Sequence, residues 1–316
     1  MADKITYYSK KELVCPVCQT PFKREEMMTG RGRLNAGDLN NELRRSYMPT
    51  QKYGDVNPLI YPITVCPNCF YATEKEDFLK PPAKAVDKLM DLRPVRAKYL
   101  TKIFGRVPDF LEPRDLISGL AGYVLAVSTY SVFPIKKTSS SVKRGVASLR
   151  ASWLFGDLFK EHGEAKHNEL AEVFYRKASE FYSVALENMT TGKESLDYAR
   201  WLGPDSDYNY GYDGFLYVTG YLKYKTSVYV EDPYEKLKLF ENVKRTLSKV
   251  FGMGRKAKDK PQVLLDLARE VYDKIGEDID ELHASLGDIE LEAQEGEAAE
   301  ANTGIEEVAG VEGAEE

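Results

Sequence analysis

The sequence predicts a mainly α-helical protein with a small β module at its N-terminus and a polar tail at its C-terminus. Two matched Cys-Pro-x-Cys pairs predict the module, because paired Cys-x-x-Cys turns are typical of a zinc ribbon. Apolar residues at helical spacing predict a tetratricopeptide-like antiparallel helical repeat domain behind it. A glutamate-rich end without aromatic residues predicts a disordered acidic tail.

The same patterns divide the 316 residues into four parts. We expect a zinc-ribbon-like module with an inserted loop at 1–80, a connector at 81–112, the helical repeat domain at 113–287 and the disordered acidic tail at 288–316. Pro81-Pro82 marks the end of the module, since consecutive prolines interrupt regular structure. Pro94 and Pro108 then cut the connector into short pieces.

The candidate metal ligands are the four cysteines of the chain, which are Cys15, Cys18, Cys66 and Cys69. A proline follows the first cysteine of each pair, where it fixes φ and removes a backbone donor, as suits a tight metal-binding turn. Four thiolates can enclose one tetrahedral ion, and Zn²⁺ accepts them without a geometric preference of its own. We therefore predict one structural Zn ion, and iron (Fe) in a rubredoxin-like site is the alternative with the same ligands.

Other uses of the cysteines fit the sequence less well. A catalytic zinc usually keeps an open fourth position, whereas four thiolates close the shell. A redox dithiol needs only one pair beside a βαβ pattern, and no such pattern flanks either pair. Disulfides need an oxidising compartment, and residues 1–4 carry no apolar signal region. We expect a cytoplasmic protein whose metal holds structure.

An insertion separates the two cysteine pairs, because the 47 residues between them exceed the ~15–20 of a compact ribbon. Basic residues of the insertion would let a zinc-bearing module contact nucleic acid. These residues are Arg31, Arg33, Arg44 and Arg45. Acidic residues are interleaved with them, so we expect a solvated, internally salt-bridged loop instead. Residues 57–65, rich in β-branched and aromatic side chains, are predicted to return as a strand.

A set of motifs around the cysteine pairs resembles a bacterial family known only as a domain of unknown function. The motifs are Cys15-Pro-Val-Cys18 with Phe22, the Arg33 to Asp38 stretch, Asn57-Pro58 with Tyr61, and Cys66-Pro-Asn-Cys69 with Tyr71 and Ala72. The resemblance covers residues 13–80 and, more weakly, 113–255. It implies a zinc-binding, helical-repeat protein without an established activity. Gln19 and Phe70 stand where such turns usually carry Gly, at a position that often needs φ > 0.

The helical part begins with an uncharged run and continues as helix pairs. Residues 116–133 approach the length of a membrane span, but small and polar residues dilute the run, and we expect a buried helix and no span. Apolar stripes then predict two antiparallel pairs and a capping helix, at 142–162, 168–189, 214–229, 233–251 and 264–286. Gly156 and Gly220 lie 64 residues apart, near twice the ~34-residue tetratricopeptide period.

Aromatic residues cluster at the start of the second helix pair. The candidate partner-binding residues are Tyr208, Tyr210, Tyr212, Tyr217 and Tyr221. Tyrosine offers a large contact area with few rotatable bonds, and helical repeats present concave grooves to peptides or helices of other proteins. Packing in the core and an adjoining loop is the alternative interpretation of this cluster.

Charge separates the tail from the folded part. The net charge is −6, yet residues 288–316 hold eleven acidic residues and no basic one. Residues 1–287 therefore carry 44 basic against 39 acidic residues. We expect the tail to serve solubility, and docking of the tail onto the basic body is the alternative.

The sequence contains none of the common catalytic motifs. It has no phosphate-binding Gly-x-x-x-x-Gly-Lys-Ser/Thr loop, no Gly-x-Ser-x-Gly elbow and no His-Glu-x-x-His helix. We therefore predict a protein without enzymatic activity, a scaffold or adaptor that docks a protein partner through its helical repeat. The alternatives are a nucleic-acid-associated zinc-ribbon factor and a thiol- or metal-based redox sensor.

Overall fold

The structure is a computed structural model that describes residues 4–251 and 260–309, with side chains described up to residue 287. Its strands within these residues are β1 (Thr6–Tyr8), β2 (Leu13–Val14), β3 (Pro21–Phe22), β4 (Glu25–Met27), β5 (Ala36–Leu39), β6 (Arg45–Tyr47), β7 (Ile63–Val65) and β8 (Ala72–Glu74). Its α-helices there are α1 (Lys75–Phe78), α2 (Val86–Asp91), α3 (Arg93–Phe104), α4 (Leu116–Tyr130), α5 (Ser140–His162), α6 (Ala165–Thr190), α7 (Gly211–Lys225), α8 (Pro233–Phe251) and α9 (Gln262–Ala309). The protein is mainly helical with small N-terminal strand hairpins, as the sequence predicts.

The strands form four separate antiparallel ribbons, which pair β1 with β4, β2 with β3, β5 with β6 and β7 with β8. Two of these ribbons hold the cysteine pairs. Strand β2 ends at Val14, directly before Cys15, and β7 ends at Val65, directly before Cys66. Each pair therefore sits in the turn of its own hairpin, which is the ribbon-like arrangement that the sequence predicts.

The insertion between the cysteine pairs folds into the β5–β6 hairpin, whose turn we call the hairpin tip (residues 40–45). The strand predicted for 57–65 is wrong in its first half, where residues Pro58–Ile60 form a 3₁₀ turn. The side chain of Asn57 accepts the amide hydrogen of Leu59, which caps this turn, and Pro58 cannot donate to a sheet. Only Ile63–Val65 remains for β7.

The helices pack in chain order, α4 on α5, α5 on α6, α6 on α7, α7 on α8 and α8 on α9. Only Gly163 and Glu164 separate α5 from α6, so these two long helices must run antiparallel. Gly163 ends α5 with φ of 71°, a conformation that glycine adopts without strain. The five predicted helix ranges agree with α5 to α9 except that α7 ends at Lys225, where a 3₁₀ turn follows, and α9 continues to Ala309.

One hydrophobic core cluster contains residues of both the strand module and the helical part, from Cys15 to Ile275. Helix α4 joins them, because it is almost wholly buried and packs against β7, β8 and α5. Gly119 and Gly122 permit this approach. A Cβ atom on Gly119 would lie 2.7 Å from the Cα atom of Ile60, closer than real Cβ contacts.

No helix within the described ranges combines the length and apolarity needed to cross a lipid bilayer. Helix α9 enters the segment predicted to be a disordered tail, but side chains beyond residue 287 and all of 310–316 lie outside the described residues. The disorder of the tail and the domain boundaries at 80, 112 and 287 stay predictions.

Candidate metal centre

The two cysteine turns have the same backbone hydrogen bonds. In each turn the amide of the first cysteine donates to the carbonyl five residues later, and the amide four residues later donates back to the first cysteine. The N···O distances are 2.9–3.0 Å for Cys15–Thr20, Gln19–Cys15, Cys66–Tyr71 and Phe70–Cys66. The matched sequence pattern therefore produces matched local structures.

The residue after each pair adopts a left-handed backbone conformation, with φ of 60° at Gln19 and 59° at Phe70. This confirms that the position needs φ > 0 although neither residue is glycine. Holding a non-glycine residue there costs about 1–3 kcal/mol and persists only where the surroundings impose it. Both turns therefore keep this conformation without the residue that adopts it most easily.

The four thiol sulfurs form one compact cluster, in which all Sγ atoms lie within 4.8 Å of one another. Cys15 Sγ is 3.7 Å from Cys69 Sγ, and Cys18 Sγ is 3.5 Å from Cys66 Sγ. Zn–S bonds of ~2.3 Å in a tetrahedron place sulfurs about 3.8 Å apart. The spacing thus fits a single tetrahedral ion, and all four cysteines are free of disulfides.

The cluster is buried and electrostatically prepared for thiolates. Cys15, Cys66 and Cys69 are buried and Cys18 is partly buried. Hydrogen bonds from Cys66 and Cys69, followed by backbone amides of its own turn, lower the pKa of Cys15 to about 4. The pKa values of Cys66 and Cys69 are raised, because each thiol keeps its proton in a hydrogen bond with Cys15 and burial disfavours a further charge. A bound cation would replace these protons.

Arg96 on α3 is a part of this centre that sequence reasoning missed. Its side chain is 1% exposed, and its Nη1 donates to the carbonyl oxygens of Leu89 at 2.8 Å and Cys69 at 3.2 Å. Burial lowers the pKa of Arg96, while the neighbouring cysteine thiolates raise it. Nε and Nη2 have no hydrogen-bond partner among the described residues. A buried cation with spare donors fits a metal–thiolate cluster, whose four thiolates around Zn²⁺ leave a negative charge.

The predicted basic loop does not form a free surface, because two of its arginines bind the helical part. Arg44 pairs with Asp157 on α5, and Arg45 Nε lies 3.1 Å from Asp207 Oδ2. Arg33 stays within the loop, where its guanidinium lies 5.3 Å from the ring centroid of Tyr53. Arg31 is exposed. Arg44 and Arg45 are salt-bridged, but their partners lie outside the loop, on α5 and in the segment before α7, and not on the acidic residues of the loop itself.

The five candidate tyrosines do not share one surface. Tyr210 and Tyr217 are buried, so core packing, the alternative interpretation, describes these two. Tyr221 is partly buried and its ring stacks on Tyr217, with ring centroids 6.0 Å apart. Tyr208 and Tyr212 are 50% and 46% exposed. Of the five, only these two expose about half of the residue to a partner.

A cleft of about 1230 Å³ lies between the strand module and the helical part. Six aromatic residues line it, which are Tyr47, Tyr61, Tyr198, Trp201, Tyr208 and Tyr210. Ion pairs line it as well: Lys143 Nζ lies 2.7 Å from Asp77 Oδ2, and Arg150 Nη1 lies 3.2 Å from Glu74 Oε1. Burial raises the pKa of Glu74, and Arg150 opposes that shift.

A third ion-paired group at the cleft is Glu26, which contacts both Arg24 and Lys75. Burial raises the pKa of Glu26, but hydrogen bonds from Lys75 and Arg24 outweigh it and hold the pKa below its ordinary value. The walls of the cleft are thus polar, aromatic and internally paired in charge.

Comparison with known proteins gives one family and one relative. The sequence profile of the family DUF2225, described as "Uncharacterized protein conserved in bacteria", matches residues 8–275. A Borreliella burgdorferi protein described as an uncharacterized protein is 38% identical over 279 residues, which are 88% of this chain and 99% of that protein. No solved structure shows a significant match to the chain.

Proposed function

We propose that this chain, which belongs to the bacterial family DUF2225, is a cytoplasmic, non-catalytic scaffold or adaptor protein that docks a protein partner. In this proposal Cys15, Cys18, Cys66 and Cys69 hold one structural zinc ion. The observation that carries it is the closed thiolate shell, since four buried or partly buried sulfurs within 4.8 Å of one another use every tetrahedral position. A water or substrate would find no place on such an ion.

The partner would bind along the helical part, at the cleft beside the strand module. Tyr208 is half-exposed at its edge, and aromatic residues with polar tips are enriched where protein interfaces concentrate their binding energy. Positive and negative side chains of the walls are paired with one another. They therefore favour a partner with a complementary pattern of charges over any segment of a single sign of charge. A segment of several residues would fill about 1230 Å³.

The nucleic-acid alternative has less support. Arg44 and Arg45 already pair with Asp157 and Asp207, so a phosphate would have to displace a carboxylate from each. Binding to nucleic acid would also weaken steeply with added salt, because phosphate contacts release counterions.

Affinity capture of the tagged chain from its own cells tests the proposal, with Tyr208→Ala as the test variant. Tyr99→Ala is the matched control, because Tyr99 is 57% exposed on α3 and does not line the cleft. We expect specific protein partners that survive high salt and the Tyr99→Ala change but are lost with Tyr208→Ala. A chain that captures only nucleic acid, or partners indifferent to both variants, would refute docking at the cleft.

A further inference from the structure

We propose that the hairpin tip is an internal ligand of the helical part, and that the surface beneath it recognises a partner segment of the same chemistry. That chemistry is an acidic residue, a leucine and an arginine in succession, as in Glu42-Leu43-Arg44. The inference rests on the proposed function and deepens it, because it specifies the partner segment and what must move before it binds.

The tip is shaped in advance by its own hydrogen bonds. The side-chain oxygen of Asn40 accepts the amide hydrogens of Glu42 and Arg44, both at 2.9 Å. Leu43 has φ of 60°, an uncommon conformation for a leucine, and its side chain is completely buried. The leucine reaches α7, where it lies 3.9 Å from the place that a Cβ on Gly214 would take. A preformed turn loses little entropy on binding, as in tight peptide ligands.

The acidic residue and the backbone of the tip bind aromatic residues of two helices. Trp153 on α5 donates its indole N–H to the carboxylate of Glu42. Burial and then the charge of the same carboxylate raise the pKa of Tyr175 on α6, whose hydroxyl makes no hydrogen bond among the described residues. The hydroxyl of Tyr217 on α7 donates to the carbonyl of Asn41 at 2.7 Å. Tryptophan and tyrosine in this role are typical of recognition hot spots.

The basic residues complete the contact. Arg44 pairs with Asp157, and its guanidinium lies 5.5 Å from the ring centroid of Trp153, in cation–π distance. The amide of Arg45 donates to Asp205 Oδ2 at 2.8 Å. The contact is therefore rich in charged and aromatic groups, like a binding interface.

The tip also borders two cavities. Arg45 lines the cleft of about 1230 Å³, and Asn41 lines a second cavity of about 580 Å³ beside α7 and α9. Because the β5–β6 ribbon pairs with no other strand in the described part of the chain, it can leave without breaking a larger sheet.

A labelled peptide of residues 36–47 tests this inference on the purified, metal-loaded full chain by fluorescence anisotropy. In the wild-type chain the tip occupies the surface that the peptide needs. In the double variant Glu42→Lys/Leu43→Ser the tip should no longer bind there, so the peptide should bind this variant at least tenfold more tightly than the wild type. Met48→Ser is the matched control, because Met48 is 58% exposed just beyond the hairpin and should leave binding as in the wild type.

Charge reversal makes the test specific. Adding Asp157→Arg to the double variant should weaken peptide binding at least tenfold, and a peptide carrying Arg44→Glu should restore it. If the double variant loses its helical circular dichroism, the single variant Arg44→Glu in the full chain decides, since that pair is at the half-buried edge of the contact.

No peptide binding to either folded variant would overturn the inference, as would binding that ignores the charge at residue 157. Peptide binding needs no cellular partner, so its failure is distinct from failure of the capture experiment. Binding of the peptide without any captured partner would refute the proposed function and leave the tip as a ligand of its own chain only.

Discussion

The close contact between α4 and the strand module makes one glycine substitution strongly unfavourable. A Cβ atom on Gly119 would lie 2.4 Å from Cβ and 2.7 Å from Cα of Ile60, and the second of these belongs to the backbone. A side-chain rotation cannot relieve such an overlap, so the helix or the Pro58–Ile60 turn must shift. Overpacking of this kind costs about 1–3 kcal/mol.

Gly156 in α5 is the matched control for Gly119→Ala. It is also a helical glycine, but a Cβ there would meet nothing within 4 Å. Gly156→Ala should therefore stabilise the protein by about 0.5–1 kcal/mol through reduced entropy of the unfolded chain. Because both variants gain this helical term, they should differ in free energy of unfolding by the overpacking cost alone, about 1–3 kcal/mol.

Urea denaturation of the metal-loaded protein, followed by circular dichroism, measures this difference. Equal free energies of unfolding for Gly119→Ala and Gly156→Ala would refute the contact between α4 and the turn at Ile60. Stabilisation by both would show that the strand module does not press on the helix at all.

Three further perturbations test the centre, the cleft and the hairpin. Arg96→Met should raise the rate of zinc loss to a chelator about tenfold, because the buried Arg96 offsets the charge of the thiolates. Arg93→Met, at an exposed residue of the same helix, should leave this rate unchanged. Glu26 has a lowered pKa, so its stabilisation is present above pH ~4.3 and is lost as the pH falls further. Glu26→Gln should flatten that part of the stability–pH profile, and an unchanged profile would contradict the ion pairing. Leu43→Ala should accelerate hydrogen exchange in the hairpin tip more than in α5, and uniform acceleration would mean that the tip does not open separately.

The sequence predicts best what is encoded locally. Each cysteine turn is determined by a few neighbouring residues, so its ligands and the left-handed conformation at Gln19 and Phe70 follow from the pattern. The long helices follow from apolar periodicity in the same way. The strand predicted at 57–65 is shorter in the structure because Pro58 and the capping side chain of Asn57 outweigh the β-propensity of the segment.

Contacts between distant residues are what the sequence alone does not reveal. Trp153 meets Glu42 across 111 positions of the chain, and Arg44 meets Asp157 across 113. In the sequence, Arg96 looks like an ordinary surface arginine on a short helix. In the folded chain it is buried and donates a hydrogen bond to the carbonyl of Cys69. A leucine between charged residues, as at Leu43, is a signal in the sequence that this part of the loop packs against the rest of the chain.

In our proposal one zinc ion holds the strand module together. Elemental analysis of the purified chain, together with that of Cys66→Ser, tests this most directly. We expect about one zinc per wild-type chain and, because the remaining three thiols cannot close the shell, far less in the variant. We also expect Co²⁺ substitution to give the absorption of tetrahedral thiolate coordination. Complete folding of the wild-type chain without metal would contradict this role of zinc. Equal zinc content in the wild-type chain and in Cys66→Ser would contradict it as well.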